Sequence, residues 1–265
     1  MSVAEDQWAS GGGKRKAILD VREVRVRYGG VEAVAGSSLH IDAPEVIGLI
    51  GPNGAGKSSL LAAVGGQATC ADGEVVLNGT RITRLPPHKR ARMGVVRTFQ
   101  TASVFDRLTV FENLLVASMG HSGAALRRAV FGGANARTAA AEASARASRV
   151  IEDLELQSVI DSYGSELSGG QRRLVEIGRC LMCSPKLLLL DEPMVGVAPH
   201  LVQRIGAACC AIADAGVAII IVEHELRVVQ EFCDRVVVMA AGRVIHDGRY
   251  EEAMDSAAVI EAYLV

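Results

Sequence analysis

Gly51-Pro52-Asn53-Gly54-Ala55-Gly56-Lys57-Ser58 carries the strongest chemical pattern in this chain, a match to G-x-x-x-x-G-K-[ST]. Its glycines let successive backbone N–H groups turn inward around phosphate oxygens, and a helix opening near Gly56 adds its positive end. Lys57 is long enough to reach the outer phosphates of a nucleotide, the Ser58 hydroxyl suits Mg2+, and Ser59 follows in the same turn. A glycine-rich turn that served structure alone would not need Lys-Ser at its end.

A phosphate site of this kind needs an acid at the end of a second strand. Leu187-Leu188-Leu189-Leu190 reads as a buried strand, and Asp191 emerges at its carboxyl end, where open α/β sheets bind ligands. Asp191 can hold Mg2+ through its water shell, and Glu192 is then placed to polarise an attacking water. Two acids after a strand ordinarily begin a solvated loop; beside a phosphate loop they read as the second half of a nucleotide site. Together the two motifs describe a P-loop NTPase and leave kinases, GTPases and helicases open.

A sheet is required to position these residues. Leu19, Val21, Val24 and Val26 predict a first strand with a small register break, and Val34 to Ile41 a second. Val46-Ile47-Gly48-Leu49-Ile50, Leu187 to Leu190 and Val217 to Val222 are short continuous apolar runs, the pattern of strands buried on both faces. An apolar helix is expected from about Lys57 to Val64. Strand, helix, strand at this rhythm predicts a mostly parallel sheet with helices on its faces. From approximately 106 to 184 the chain becomes Ala-rich and poor in β-branched runs. Ala143, Ala147, Val150, Ile151 and Leu154 fall on one helical stripe, while Gly120, Gly123 and Gly132-Gly133 cut the earlier part into shorter pieces. The reading is a helical subdomain inserted into an α/β core, without internal repeats.

With 265 residues the chain can bury a substantial core. A formal net charge of −2 gives no electrostatic reason to expect nucleic acid as a partner. Cys70, Cys180, Cys183, Cys209, Cys210 and Cys233 sit in apolar stretches and read as reduced, buried thiols. Cys180 and Cys183 form a C-x-x-C without the second pair of a zinc ribbon, and both are expected on the apolar side of a helix. Counting Gly, the longest apolar run is the nine residues from Ile205 to Ala213, against about 20 for a membrane-spanning helix. Residues 1–16 are polar and Gly-rich and read as a flexible leader, with 17–265 as the folded domain.

Leu167-Ser168-Gly169-Gly170-Gln171 narrows the choice among NTPases. Ser168 and the backbone amides at a helix N-terminus offer an anion site outside the phosphate loop's own pocket. This pentapeptide resembles the signature of the ABC ATPase family, and further matches run in the family's order from Tyr28 to His224. Tyr28, in Arg27-Tyr28-Gly29-Gly30, resembles the aromatic that stacks on adenine. Gln100, in Arg97-Thr98-Phe99-Gln100, resembles the glutamine that senses Mg2+ and the attacking water. His224, in Val222-Glu223-His224-Glu225, resembles the switch histidine that contacts the γ-phosphate.

That resemblance implies a RecA-like parallel-sheet core with an antiparallel β subdomain and the inserted helical subdomain. It implies ATP and Mg2+ as cofactors, with Glu192, His224 and Gln100 in the catalytic roles and Ser58, Gln100 and Asp191 toward the metal. Ser168, Gly169, Gly170 and Gln171 would cap ATP held by a second ATPase subunit, the same chain or a paralogue. Two membrane-spanning permease subunits and a solute-binding protein would complete the assembly, with this chain peripheral on the cytoplasmic face. Met194-Val195-Gly196-Val197-Ala198-Pro199 departs from the pattern, since Ala198 stands where an Asp or Asn usually bonds across the dimer. Val96 to Gln100, Leu108 to Ala117, Glu176 to Cys180 and Val259 to Leu264 resemble the ATPases of branched-chain amino acid importers, parts of which urea and amide importers share.

Overall fold

Leu187, Leu188, Leu189 and Leu190 are all buried, and their side chains divide alternately between two cores. Leu187 and Leu189 join Ile47, Leu49, Ile220 and Val222 on one face of a sheet; Leu188 and Leu190 join Val46, Ile219 and Ile221 on the other. Period-two alternation with both faces apolar is why these runs carry no polar position. The computed structural model describes residues 17–98, 104–119 and 133–264.

Six strands make that sheet: β3 (Val46–Ile50), β6 (Val95–Arg97), β7 (Leu187–Asp191), β8 (Ala218–Val222), β9 (Arg235–Ala240) and β10 (Arg243–Gly248). Their order is β10-β9-β3-β8-β7-β6, and every pairing is parallel except that of β10 with β9. A separate antiparallel sheet, β2-β1-β4-β5, comprises β1 (Leu19–Tyr28), β2 (Val31–Ile41), β4 (Cys70–Leu77) and β5 (Thr80–Arg81). The expected break in β1 is present: Glu23 has φ 47° and the pairing with β2 shifts between Val21 and Val24.

Helix α1 (Lys57–Gly65) lies between the two sheets, with Leu60, Leu61 and Val64 in the core they share. Short α2 (Pro87–Arg92) is tied to it by buried Arg90, whose guanidinium donates to the carbonyls of Ala63, Val64, Thr83 and Leu85. Between β6 and β7 in the chain, α3 (Val110–Met119), α4 (Gly133–Asp153) and α5 (Gly169–Leu181) pack on one another. Of the stripe read from the sequence, Ala147, Val150, Ile151 and Leu154 are buried against Leu114 and Leu174, and Ala143 is half-buried. α6 (Pro199–Asp214) and α7 (Leu226–Phe232) cover the same sheet face, while α8 (Tyr250–Asp255) and α9 (Ala257–Leu264) close the β9–β10 edge. No described helix is long and apolar enough to cross a membrane.

Cys180 is buried in α5, but Cys183 lies beyond the helix end at Leu181, where its thiol donates to the Arg179 carbonyl. The C-x-x-C therefore straddles a helix terminus, and the expectation that both thiols share one helical face holds for Cys180 alone. Burial pushes the Cys180 and Cys209 thiols far up, and the Cys233 thiol up to about 12.

Candidate functional site

Because β3, β6, β7 and β8 run parallel, Gly51, Thr98, Asp191 and Glu223 all emerge at one edge of the sheet. Gly51 leaves β3 with φ 140°, and a Cβ there would stand 2.0 Å from the Met239 carbonyl oxygen. Gly56, at the N-cap of α1, has φ 99°, with a Cβ placed 2.2 Å from the Ala33 carbonyl oxygen. Only glycine fits either position. The loop from Asn53 to Ser59 then lines a cleft of about 340 Å3 together with Ala33, Glu192 and His224.

The Lys57 ammonium is buried within this loop and donates to the carbonyls of Gly51 (2.8 Å) and Pro52 (2.9 Å). Its pKa is lowered, chiefly by burial, against the opposing influence of the Glu192 and Asp191 carboxylates. Ser58 Oγ donates to Asp191 Oδ1 at 3.0 Å. Asp191 is fully buried, and its other oxygen accepts from Arg97 Nη2 at 2.7 Å. A hydroxyl and a carboxylate oxygen this close, facing a phosphate loop, are hard oxygen donors of the kind Mg2+ takes. The residues present fit that ion, and among the described residues no cluster of three His, Cys, Asp or Glu offers a competing site.

Glu192 has φ 49°, an uncommon conformation for a residue with a Cβ that costs on the order of 1–3 kcal/mol. Its N–H donates to the Val222 carbonyl at 3.0 Å, binding the β7 turn to the end of β8. Its Oε1 lies 2.8 Å from His224 Nε2, so the two side chains form an ion pair when the imidazole is protonated. Buried Glu223, next to His224, accepts from the N–H groups of Met194 (3.1 Å) and His224 (3.3 Å). Burial raises its pKa, and the two N–H groups oppose the rise.

The structure thus brings together Gly51 to Ser59, Asp191, Glu192 and His224. Tyr28 lies elsewhere, half exposed at the tip of the β1–β2 hairpin whose Ala33 touches the cleft. Ser168 stands at the N-cap of α5, where its side chain and that of Gln171 form a reciprocal capping box. Ser168 and Gly169 are exposed, Gly170 is packed on Leu201, and none of the four signature residues lines the cleft. Gln100 falls outside the described residues. Ala198 is the N-cap of α6 and supplies no side-chain cap.

Three functional-site neighbours escaped the sequence reading. Arg97 meets Asp191 because β6 pairs with β7 in parallel register, Arg97 opposite Leu189. Arg173, on α5, donates from Nε to the Pro193 carbonyl (3.1 Å) and from Nη2 to the Glu192 carbonyl (3.3 Å). Glu223 is the third. Only the position of Glu223 beside His224 was a signal available in the sequence; the other two depend on tertiary register.

Comparison with known proteins places this geometry. The profile of the ABC transporter family matches residues 34–195. The high-affinity branched-chain amino acid transport ATP-binding protein BraF of Pseudomonas aeruginosa is 35% identical over 250 residues, 94% of this chain and 98% of that one. The lipopolysaccharide export system ATP-binding protein LptB of Haemophilus influenzae is 34% identical over 248 residues, 94% of this chain and 97% of that one. Among solved structures, a nucleotide-free ATP-binding cassette from an ABC transporter superposes with a TM-score of 0.80 at 33% identity, covering 93% of this chain and 98% of that one. The family's match runs through the phosphate loop and past the Asp191–Glu192 turn, so it includes most of the residues that line the cleft. The chain belongs to the ABC transporter family, as an ATP-binding subunit.

Proposed function

We propose that this chain hydrolyses ATP in the cleft bounded by Gly51 to Ser59, Asp191, Glu192 and His224, and that the hydrolysis drives solute movement through separate membrane-spanning subunits. The backbone N–H groups of Gly51 to Ser58 and the start of α1 cradle the phosphates, and Lys57 turns from its own loop carbonyls to the β- and γ-oxygens. Ser58 and Asp191 hold Mg2+, with Gln100 as a further ligand. When bound, that ion neutralises charge building on the phosphate oxygens. Arg97, donating to the second Asp191 oxygen at 2.7 Å, holds that carboxylate in place toward the ion. Glu192 orients a water in line with the γ-phosphorus and draws its proton as the new O–P bond forms and the bond to the β-phosphate oxygen breaks. His224 holds the Glu192 carboxylate at 2.8 Å and contacts the departing phosphoryl group.

The observation that carries this reading is the convergence of Lys57, Ser58, Asp191, Glu192 and His224 from three different strand ends on one cleft. Ser168, Gly169, Gly170 and Gln171 stand apart from it at the head of α5, with Ser168 and Gly169 exposed. That separation supports a head-to-tail pairing with a second ATPase subunit, each signature closing on ATP held by the other, and Tyr28 stacking on the adenine. Phe105 and Tyr163, 46% and 50% exposed, both lie where the 104–109 segment meets the chain before α5, and offer an apolar surface to permease subunits. Residues 106–184 then act as the inserted helical subdomain that carries motion from Gln100 to the permease at the cytoplasmic face.

The cargo we infer is a branched-chain or other hydrophobic amino acid, in line with BraF and the similar LivG relatives being named branched-chain amino acid transport ATP-binding proteins; uptake with a solute-binding protein belongs to the same reading. The 34% identity with LptB favours a second reading, an ATPase of export. Glu192→Gln tests the chemistry: the variant should bind ATP, lose nearly all phosphate release, and accumulate as an ATP-bound dimer in size-exclusion chromatography. Unchanged hydrolysis would refute the role of Glu192. Uptake of labelled leucine into vesicles holding the complete transporter, dependent on internal ATP, separates import from export.

A further inference from the structure

Glu192 is, among the described residues, the only non-glycine of positive φ that lines the cleft. Its carboxylate direction depends on a backbone conformation that relaxes unless neighbours hold it. Among the described residues, the Val195 N–H reaches the Glu192 carbonyl at 3.4 Å from within the turn, and the other groups that hold it come from neighbouring elements. The Glu192 N–H is fixed to Val222, and the Met194 N–H to buried Glu223. The two carbonyls of the turn, those of Glu192 and Pro193, are both bound by one side chain, the guanidinium of Arg173.

Arg173 is only 6% exposed, and Glu176 only 4%; Arg173 Nη1 donates to Glu176 Oε2 at 2.6 Å. A buried ion pair is a weak source of stability, because desolvating both charges offsets much of their attraction. What the pair supplies here is direction. Three nitrogens in a rigid plane meet two successive carbonyls and one carboxylate, an arrangement a lysine cannot reproduce. Arg173 also lies one turn into α5, the helix that Ser168-Gly169-Gly170 opens. Its side chain therefore joins the exposed signature end of α5 directly to the backbone of Glu192.

We infer that Arg173 is a positioning residue for ATP hydrolysis, holding Glu192 in its left-handed conformation from the signature helix so that the carboxylate stays aimed at the attacking water. The inference rests on the reading of Glu192 given above. Glu176 keeps the guanidinium in plane, and Glu223 restrains the same turn from the β8 side.

The test is a cycle on the full-length chain. Arg173→Lys retains the charge facing Glu176 but loses the fork; a paired Arg173→Met, Glu176→Gln variant removes both charges together, so that no orphaned carboxylate can unfold the protein. Both should lower kcat by about tenfold to a hundredfold, the effect of a small misalignment of a catalytic group. The KM and the equilibrium affinity for ATP, and the melting temperature of Arg173→Lys, should stay close to wild type. In a Glu192→Gln background, single-turnover hydrolysis should fall no further when Arg173→Lys is added, since Arg173 acts only through Glu192. Wild-type kcat in both variants, or losses that multiply with that of Glu192→Gln, would overturn the inference and leave the role of Glu192 standing. Wild-type turnover in Glu192→Gln itself would bring down both.

Discussion

Ala198 offers a quantitative test of how the turn after Glu192 is built. It is the N-cap of the 16-residue helix α6, with φ −63° and ψ 144°, the extended geometry from which an Asp, Asn or Ser side chain bonds back to the first turn. Its methyl cannot do so. Pro199 at the first helical position has no N–H, and the N–H groups of Leu201 (2.8 Å) and Val202 (3.1 Å) already donate to the Ala198 carbonyl. An introduced carboxylate therefore gains chiefly the His200 N–H and a share of the Leu201 N–H, so the cap is placed at about 1 kcal/mol, not at the upper end near 2. Attraction to the helix dipole adds roughly 0.3–0.5 kcal/mol at this exposed site. For a chain of this size each kcal/mol raises Tm by about 2–4 °C, which gives about 3 °C for Ala198→Asp. Ala198→Asn keeps the cap without the charge and should gain about 2 °C. Thermal melts of the nucleotide-free chain measure both, and about 1 M salt should erase the gap between them by screening the dipole term. No rise in Tm for either variant would refute the argument, because it would mean that the first turn of α6 has no N–H group left for a cap to satisfy.

Removing the Arg97 guanidinium should be costly: Arg97→Met leaves the buried Asp191 carboxylate without its cation and should destabilise the fold by roughly 3 kcal/mol in urea titrations, with Asp191→Asn in the same chain recovering most of that loss. Burial holds the Glu223 carboxyl above its ordinary 4.5, so its contribution to stability is complete below that value and is lost as pH rises through the folded pKa. Wild type should accordingly lose stability relative to Glu223→Gln as pH rises above the ordinary carboxyl range, and a difference moving in the opposite direction would contradict the assignment. With their pKa values pushed up by burial, Cys180, Cys209 and Cys233 should resist iodoacetamide in the native chain at pH values where free cysteine reacts, and mass spectrometry should find them alkylated only after denaturation.

The parallel core was legible because its strands are buried on both faces. Val46 to Ile50, Leu187 to Leu190 and Val217 to Val222 each lack polar residues for that reason, and the observed strands begin and end within a residue of those runs. The antiparallel sheet was legible only in part. β1 and β2 alternate along their length, but β4 opens with Cys70, Ala71, Asp72, Gly73 and Glu74, and only Val75 and Leu77 near its end alternate into the core. β9, Arg235-Val236-Val237-Val238-Met239-Ala240, is another apolar run, and no motif residue follows it in the sequence. Its importance is indirect: the Met239 carbonyl is the atom that forbids a side chain at Gly51.

Residues that the site gathers from strand ends were visible one by one, since each closes an apolar run at a position where the chain must turn. Those that hold the site in shape were not. Arg97 is a polar residue at the end of a short edge strand, Arg173 sits among the ordinary charges of an amphipathic helix, and neither spacing nor residue type marks their partners. Their partners are a carboxylate on β7 and two carbonyls just beyond it, brought within reach only when β6 registers against β7 and α5 packs beneath the turn. A strained residue such as Glu192 makes this dependence unavoidable. A carboxylate on a relaxed turn could be aimed by its own backbone, whereas one at φ 49° needs buried donors from other elements, and those donors are chosen by the fold. The chemistry at the cleft therefore rests on a set of contacts that no local reading of the chain can supply, and the signature helix is the element that contributes the most direct of them.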